Sequence, residues 1–198
     1  QHQQAQEEAL MKLVHDNLAL QAVEAGTRQW LAEVVVGLNL CPFARREVDA
    51  GRVRFAITAH TEPEALLLEF ASELNRLQNE PQIATTLLVF AQGVPDFFDY
   101  LDLLDMTQAW LEEQGLEGEY QLASFHPDYL FAESAAEDAA NYTNRSPWPI
   151  IHLLREASVE QAIASHPDTA RIPERNIRLA REKGMAYWES LLKSLRPL

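Results

Sequence analysis

The chain has 198 residues, 47% of them apolar and 23% charged, which suits one globular domain with enough material for a sizeable core. A formal net charge of −14 disfavours nucleic acid and anionic membrane surfaces as partners, because both reward Lys and Arg on the binding face. A single cysteine leaves no internal disulfide framework and no multi-thiolate metal site.

No apolar run approaches the ~20 residues of a membrane span. The polar start QHQQAQEE also lacks the basic-then-apolar layout of a secretory signal, so the expected location is cytoplasmic. The distribution of charge is uneven. Residues 55–144 hold one cation, Arg76, against 17 acids, whereas residues 145–198 hold 9 Arg plus Lys against 6 acids. A second basic island comprises Arg45, Arg46, Arg52 and Arg54. Cations gathered in two islands of an acidic chain point to a small anionic molecule as ligand, since a site must oppose the protein's own field locally.

In chain order, Leu10, Leu13, Val14, Leu18 and Val23 recur at helical spacing and predict an amphipathic helix that Gly26 ends. Thr27 then caps a second helix whose buried stripe is Trp30, Leu31, Val34, Val35 and Leu38, and Asn39 to Phe43 forms a turn. Val53, Phe55 and Ile57 alternate in a first strand over 52–58. Thr61 and Glu64 fit a capping box for a helix bearing Leu66, Leu67, Phe70, Leu74 and Leu77. The run from Ile83 to Ala91 suits a strand covered on both faces. A helix with Phe97, Leu101, Leu104 and Leu111 follows, ending near Gly115, and residues 119–125 form the third strand. Helices are expected over about 149–164, 173–183 and 185–195. The fold class is therefore α/β: a three-stranded, mostly parallel sheet with flanking helices and extra helices at both termini. The division is a helical appendage over 1–26 and a single α/β domain over 27–198.

About thirty residues between the third strand and the next helix carry little regular pattern, and loops that long inside a domain are usually functional or disordered. This one holds His126, Asp128, Tyr129, Asn141, Tyr142, Asn144, Arg145 and Trp148, which are ligand-contacting types. Pro127 biases His126 toward an extended backbone, which would present its imidazole at the sheet's edge as a general acid or base with Asp128 beside it. Ser146-Pro147 resembles a helix N-cap whose free N–H groups, with Asn144 and Arg145, would form an anion-binding corner. Asn141 and Tyr142 would orient the ligand. On the expected helix, His152 and Arg155 share a face with Trp148 and Glu156 and would line the same pocket. Cys41 is an optional nucleophile, near several arginines that favour a thiolate.

No GxGxxG, GxxxxGK[ST], GxSxG or HExxH pattern occurs, so no cofactor is named by the sequence. The leading reading is a small enzyme or metabolite-binding protein that recognises a small anion through Arg145, Arg155 and the helix start, with His126 moving the proton. One alternative is a non-catalytic interaction module presenting Trp148, Tyr142 and Tyr129. Another is a metal-dependent hydrolase using His126, Asp128, His152 and Glu156.

The runs WLAEVVVGLNLCPFARR, ASFHPDYLFA, NYTNRSPWPIIHLLREASVE and IPERNI resemble those of an uncharacterised bacterial family, catalogued as domain of unknown function number 1415. The resemblance covers about Thr27 to Leu192 and leaves the first 25 or so residues outside. It implies no activity, cofactor or site residue, so every role above rests on the residues themselves.

Overall fold

A four-stranded mixed sheet of order β1-β2-β4-β3 divides the molecule into two apolar layers. The structure is a computed structural model describing residues 2–166 and 168–196; Gln1 and Leu198, the outer ends of the two expected segments, lie outside the described residues. The strands are β1 (Val53–Thr58), β2 (Thr85–Phe90), β3 (Tyr120–Phe125) and β4 (Ile150–Arg155). The helices are α1 (His2–Trp30), α2 (Ala44–Asp49), α3 (Pro63–Asn79), α4 (Phe97–Glu113), α5 (Glu156–Ser165), α6 (Ile172–Lys183) and α7 (Met185–Ser194). Among the described residues no helix is long and apolar enough to cross a membrane.

Side chains on a strand alternate between faces, and β2 shows the consequence directly. Leu88 and Phe90 join the layer made by α3 and α4, while Leu87 and Val89 join the layer made by the end of α1, α6 and α7. Because both faces are covered, five consecutive residues of β2 are buried.

The sheet corrects the expected topology. β1 and β2 pair in parallel, but β4 enters between β2 and β3 and runs antiparallel to both, with Ile150 opposite Val89 on one side and Phe125 on the other. There are thus four strands rather than three, and one parallel pair rather than a mostly parallel sheet. The stretch expected to begin a helix at about residue 149 is this strand, and the helix proper starts at Glu156. A short run such as Ile150-Ile151-His152-Leu153-Leu154 fits a doubly covered strand or a buried helix equally by periodicity. Unpaired backbone groups along β2 and β3 decide the matter, since a buried amide or carbonyl left without a partner is costly.

The amino-terminal helices also differ from expectation. Gly26 does not end a helix; α1 continues to Trp30, and the Thr27 hydroxyl donates back to the Val23 carbonyl instead of capping. Gly26 is required for close approach. A Cβ there would lie 2.5 Å from the Leu195 carbonyl oxygen and 2.6 Å from the Trp148 ring. Past Trp30 the backbone widens into a π-helical turn over Leu31–Val36, with the Gly37 and Leu40 amides donating to Ala32 and Val35 five residues back. Such turns often accompany functional sites. Thr61 likewise does not cap α3: Glu62 holds the cap position, without a side-chain bond.

Candidate ligand-binding site

The loop between β3 and β4 is held by its own side chains and by the carboxy-terminal helices. Asn141, fully buried, accepts from the Phe131 amide and donates to the carbonyls of Ala135 and Asp138. Asp138 caps a 3₁₀ turn (Ala139–Asn144) through the Ala140 amide and pairs with Arg181 of α6 at 2.9 Å, which holds its carboxyl down at about 2. Tyr142 stacks on Trp188 of α7 with ring centroids 5.8 Å apart. Asn144 donates to the Ser124 carbonyl at the end of β3. These ties fix where the next residue, Arg145, can reach.

Arg145 is half-buried, its guanidinium lying 4.5 Å above the Tyr142 ring centre while Nε donates to the Tyr129 carbonyl at 3.0 Å. Among the described residues its two terminal nitrogens have no hydrogen-bond or ion-pair partner. The residue belongs to the wall of a cavity of about 340 Å³ beyond the carboxyl end of β3. The end of α1, the π turn and the turn after it supply Trp30, Val34, Val35, Leu40 and Cys41; β3 and the loop supply Phe125, Phe131 and Tyr142 to Arg145; α6 supplies Ile172, Pro173, Asn176 and Ile177. α6 is docked there by Asn176 and Arg175, which donate to the carbonyls of Leu40 and Asn39.

Cys41, Tyr142, Asn144 and Arg145 are therefore brought together from distant parts of the chain, and six other candidate residues are not. His126 is fully buried between Phe97 and Tyr100. Its Nδ1 accepts from the Asp128 amide, so Nε2 carries the proton and donates to the Val94 carbonyl at 3.0 Å. Burial pushes its pKa down. Both ring nitrogens are thus engaged within the protein, and what Nε2 holds is Val94, a β-branched residue at φ +50°. Asp128 is exposed and contributes its backbone rather than its carboxylate.

Ser146 is buried and donates to the Trp148 carbonyl; since a strand follows, no helix start exists there to cradle an anion. His152 lies on β4 against Thr85 at 2.7 Å, and desolvation pushes it down to about 4. Arg155 caps the end of α3, donating to the carbonyls of Leu77, Glu80 and Ile83. Asn141 organises the loop without reaching the cavity. Trp148 and Tyr142 are buried and Tyr129 is partly buried against the core, so the three do not form one exposed aromatic patch. Among the described residues no three His, Cys, Asp or Glu side chains gather in a way that could hold a metal ion.

Residues 22–190 match the model of a family described as protein of unknown function, DUF1415. The chain belongs to that family. No curated protein and no solved structure matches it. The matched span contains every residue lining the cavity, so the site lies within the DUF1415 region.

Sequence reading missed the far wall. Trp30, Val34 and Val35 read as core, Pro173, Asn176 and Ile177 read only as part of a helix, and Ile172 fell just before its expected start. One local signal existed: the latter four fall on one helical face by their spacing.

Proposed function

We propose that the cavity binds a small organic anion and that this DUF1415 protein is a metabolite-binding protein in which Arg145 is the anion-recognising cation. The observation that carries this reading is the charge of the wall: one guanidinium with two unpaired nitrogens and no Asp, Glu or His, in a chain of net charge −14. A cavity without carboxylates in so acidic a protein favours negative guests over all others. The planar fork left by Arg145 suits a carboxylate or phosphoryl group, and Tyr142 beneath it keeps the fork in place. Cys41 is the nucleophile of the wall, but the lining has no imidazole or carboxylate to take its proton, so binding is the function these residues support.

The test is calorimetric titration with small carboxylates and phosphates against wild type and Arg145→Ala, with circular dichroism confirming that the variant folds. Loss of a charge-assisted pair is expected to weaken binding by about tenfold or more. Affinity unchanged in Arg145→Ala would remove the reading.

A further inference from the structure

We infer that the ligand is a largely apolar monocarboxylic acid, a single carboxylate on an aromatic or branched aliphatic body, rather than a sugar phosphate or nucleotide. This rests on the anion-binding reading above and narrows it.

The first argument counts the polar groups still available. The Thr143 hydroxyl gives its one proton to the Ala140 carbonyl, and Asn144 and Asn176 each commit one amide N–H, to the carbonyls of Ser124 and Leu40. Part of the polar capacity of the wall is thus tied to the protein. What remains among the described residues is the Arg145 fork, the Cys41 thiol, the Tyr142 hydroxyl, one further amide N–H each on Asn144 and Asn176, the Asn144 side-chain oxygen, and two buried unpartnered groups, the indole N–H of Trp30 and the side-chain oxygen of Asn176. Trp30 is only 2% exposed, so its N–H is a buried donor lacking an acceptor. A sugar would bring hydroxyls all round its ring to a wall that is otherwise apolar, and each desolvated hydroxyl left unpaired is costly. An acid with one further polar group meets no such penalty.

The second argument is charge. One guanidinium, already using Nε, can neutralise one bidentate monoanion. A phosphate dianion or a pyrophosphate would keep surplus negative charge inside a protein that is itself strongly negative.

The third is the remainder of the wall. Trp30, Val34, Val35, Phe125, Phe131 and Ile177 give an apolar bed, and covering a ligand's apolar surface is worth about 25 cal/mol per Å². About 340 Å³ accommodates a single ring or a short branched chain, at the small end of ligand cavities.

The chain's only cysteine lies in this wall, so its reaction with a thiol reagent reports occupancy directly. The experiment measures the binding of 3-phenylpropanoate, acetate, inorganic phosphate and glucose 6-phosphate, and the rate at which Ellman's reagent modifies Cys41 with each present. Three proteins are used: wild type, Arg145→Gln and Ile177→Asp, the last placing a carboxylate in the apolar bed at a partly exposed position. The expected result is phenylpropanoate bound at least about tenfold tighter than acetate and slowing Cys41 modification at saturation, with both effects lost in each variant. If acetate or phosphate binds through Arg145 as tightly as phenylpropanoate, and Ile177→Asp changes nothing, the apolar-acid inference is overturned while anion binding stands. If no probe binds, or binding survives Arg145→Gln, the anion reading fails and takes this inference with it.

Discussion

His152 and His126 are imidazoles that the native state keeps neutral, and each is neutral for a reason visible in its partners. The Thr85 hydroxyl has one proton, which goes to the Leu153 carbonyl, so it must accept from Nε2–H of His152. Desolvation lowers the folded pKa of His152 to about 4, below its ordinary value near 6.5. Between those values the unfolded chain takes up a proton that the native chain refuses. The stabilisation is therefore complete above about pH 6.5 and is lost as pH falls toward 4, amounting to about 1–2 kcal/mol at pH 5. Urea midpoints at pH 7 and pH 5 should differ accordingly, and His152→Gln, which retains a donor for Thr85, should remove at least half of the difference. An undiminished difference in the variant would show that other groups are responsible. His126 shifts in the same direction and accounts for part of what remains. The Asp138 carboxyl, held at about 2, titrates below this window.

At the scale of elements, the loop preceding β4 is pinned by Asn141 more than by any other side chain. Asn141→Ala would strand the Phe131 amide and release two carbonyls in a buried setting, for a loss of about 2–4 kcal/mol. Chemical denaturation measures it, and a loss below about 0.5 kcal/mol would mean that water or another group replaces the amide. How much of this was legible in the sequence depends on how local the cause was. β1 and β2 were legible because alternation or a continuous apolar run is itself the signature of their burial. α4 was legible from the apolar spacing of Leu101, Leu104 and Leu111, although its cap, Asp96, went unread. β4 was not legible, because its identity comes from two neighbours far away in the chain. Gly26 misled for a similar reason: it looks like a helix terminator and is a contact point for Trp148 and Leu195. In the site, Tyr142, Asn144 and Arg145 stood out by residue type within a long loop. Their apolar counterparts on α6 did not, because nothing in a helical pattern says which pocket it faces.

For the molecule as a whole, the first two thirds of α1 contribute little to the packed body. Leu10, Met11, Leu13, Val14 and Leu18 are 52–73% exposed, and the first buried residue is Val23, close to where the family match begins. Removing residues 1–20 is therefore expected to leave the melting temperature within about 2 °C of wild type, since exposed positions without packing partners contribute little to the native state. A fall of more than about 5 °C in a thermal melt would show that this segment is supported by contacts in solution. The packed body, by contrast, depends on both ends of its span: Gly26 meets Leu195, and Arg175 and Asn176 hold the turn at Asn39 and Leu40.

The insertion of β4 between two earlier strands also bears on biosynthesis. While the ribosome is still short of residue 150, β2 and β3 have been made but cannot be neighbours, because the segment that joins them does not yet exist. The nascent chain must carry β3 unzipped until its partner emerges, and the hollow around Arg145 acquires its last wall only when α6 follows. In this topology one of the two central strands is the last part of the sheet to be synthesised.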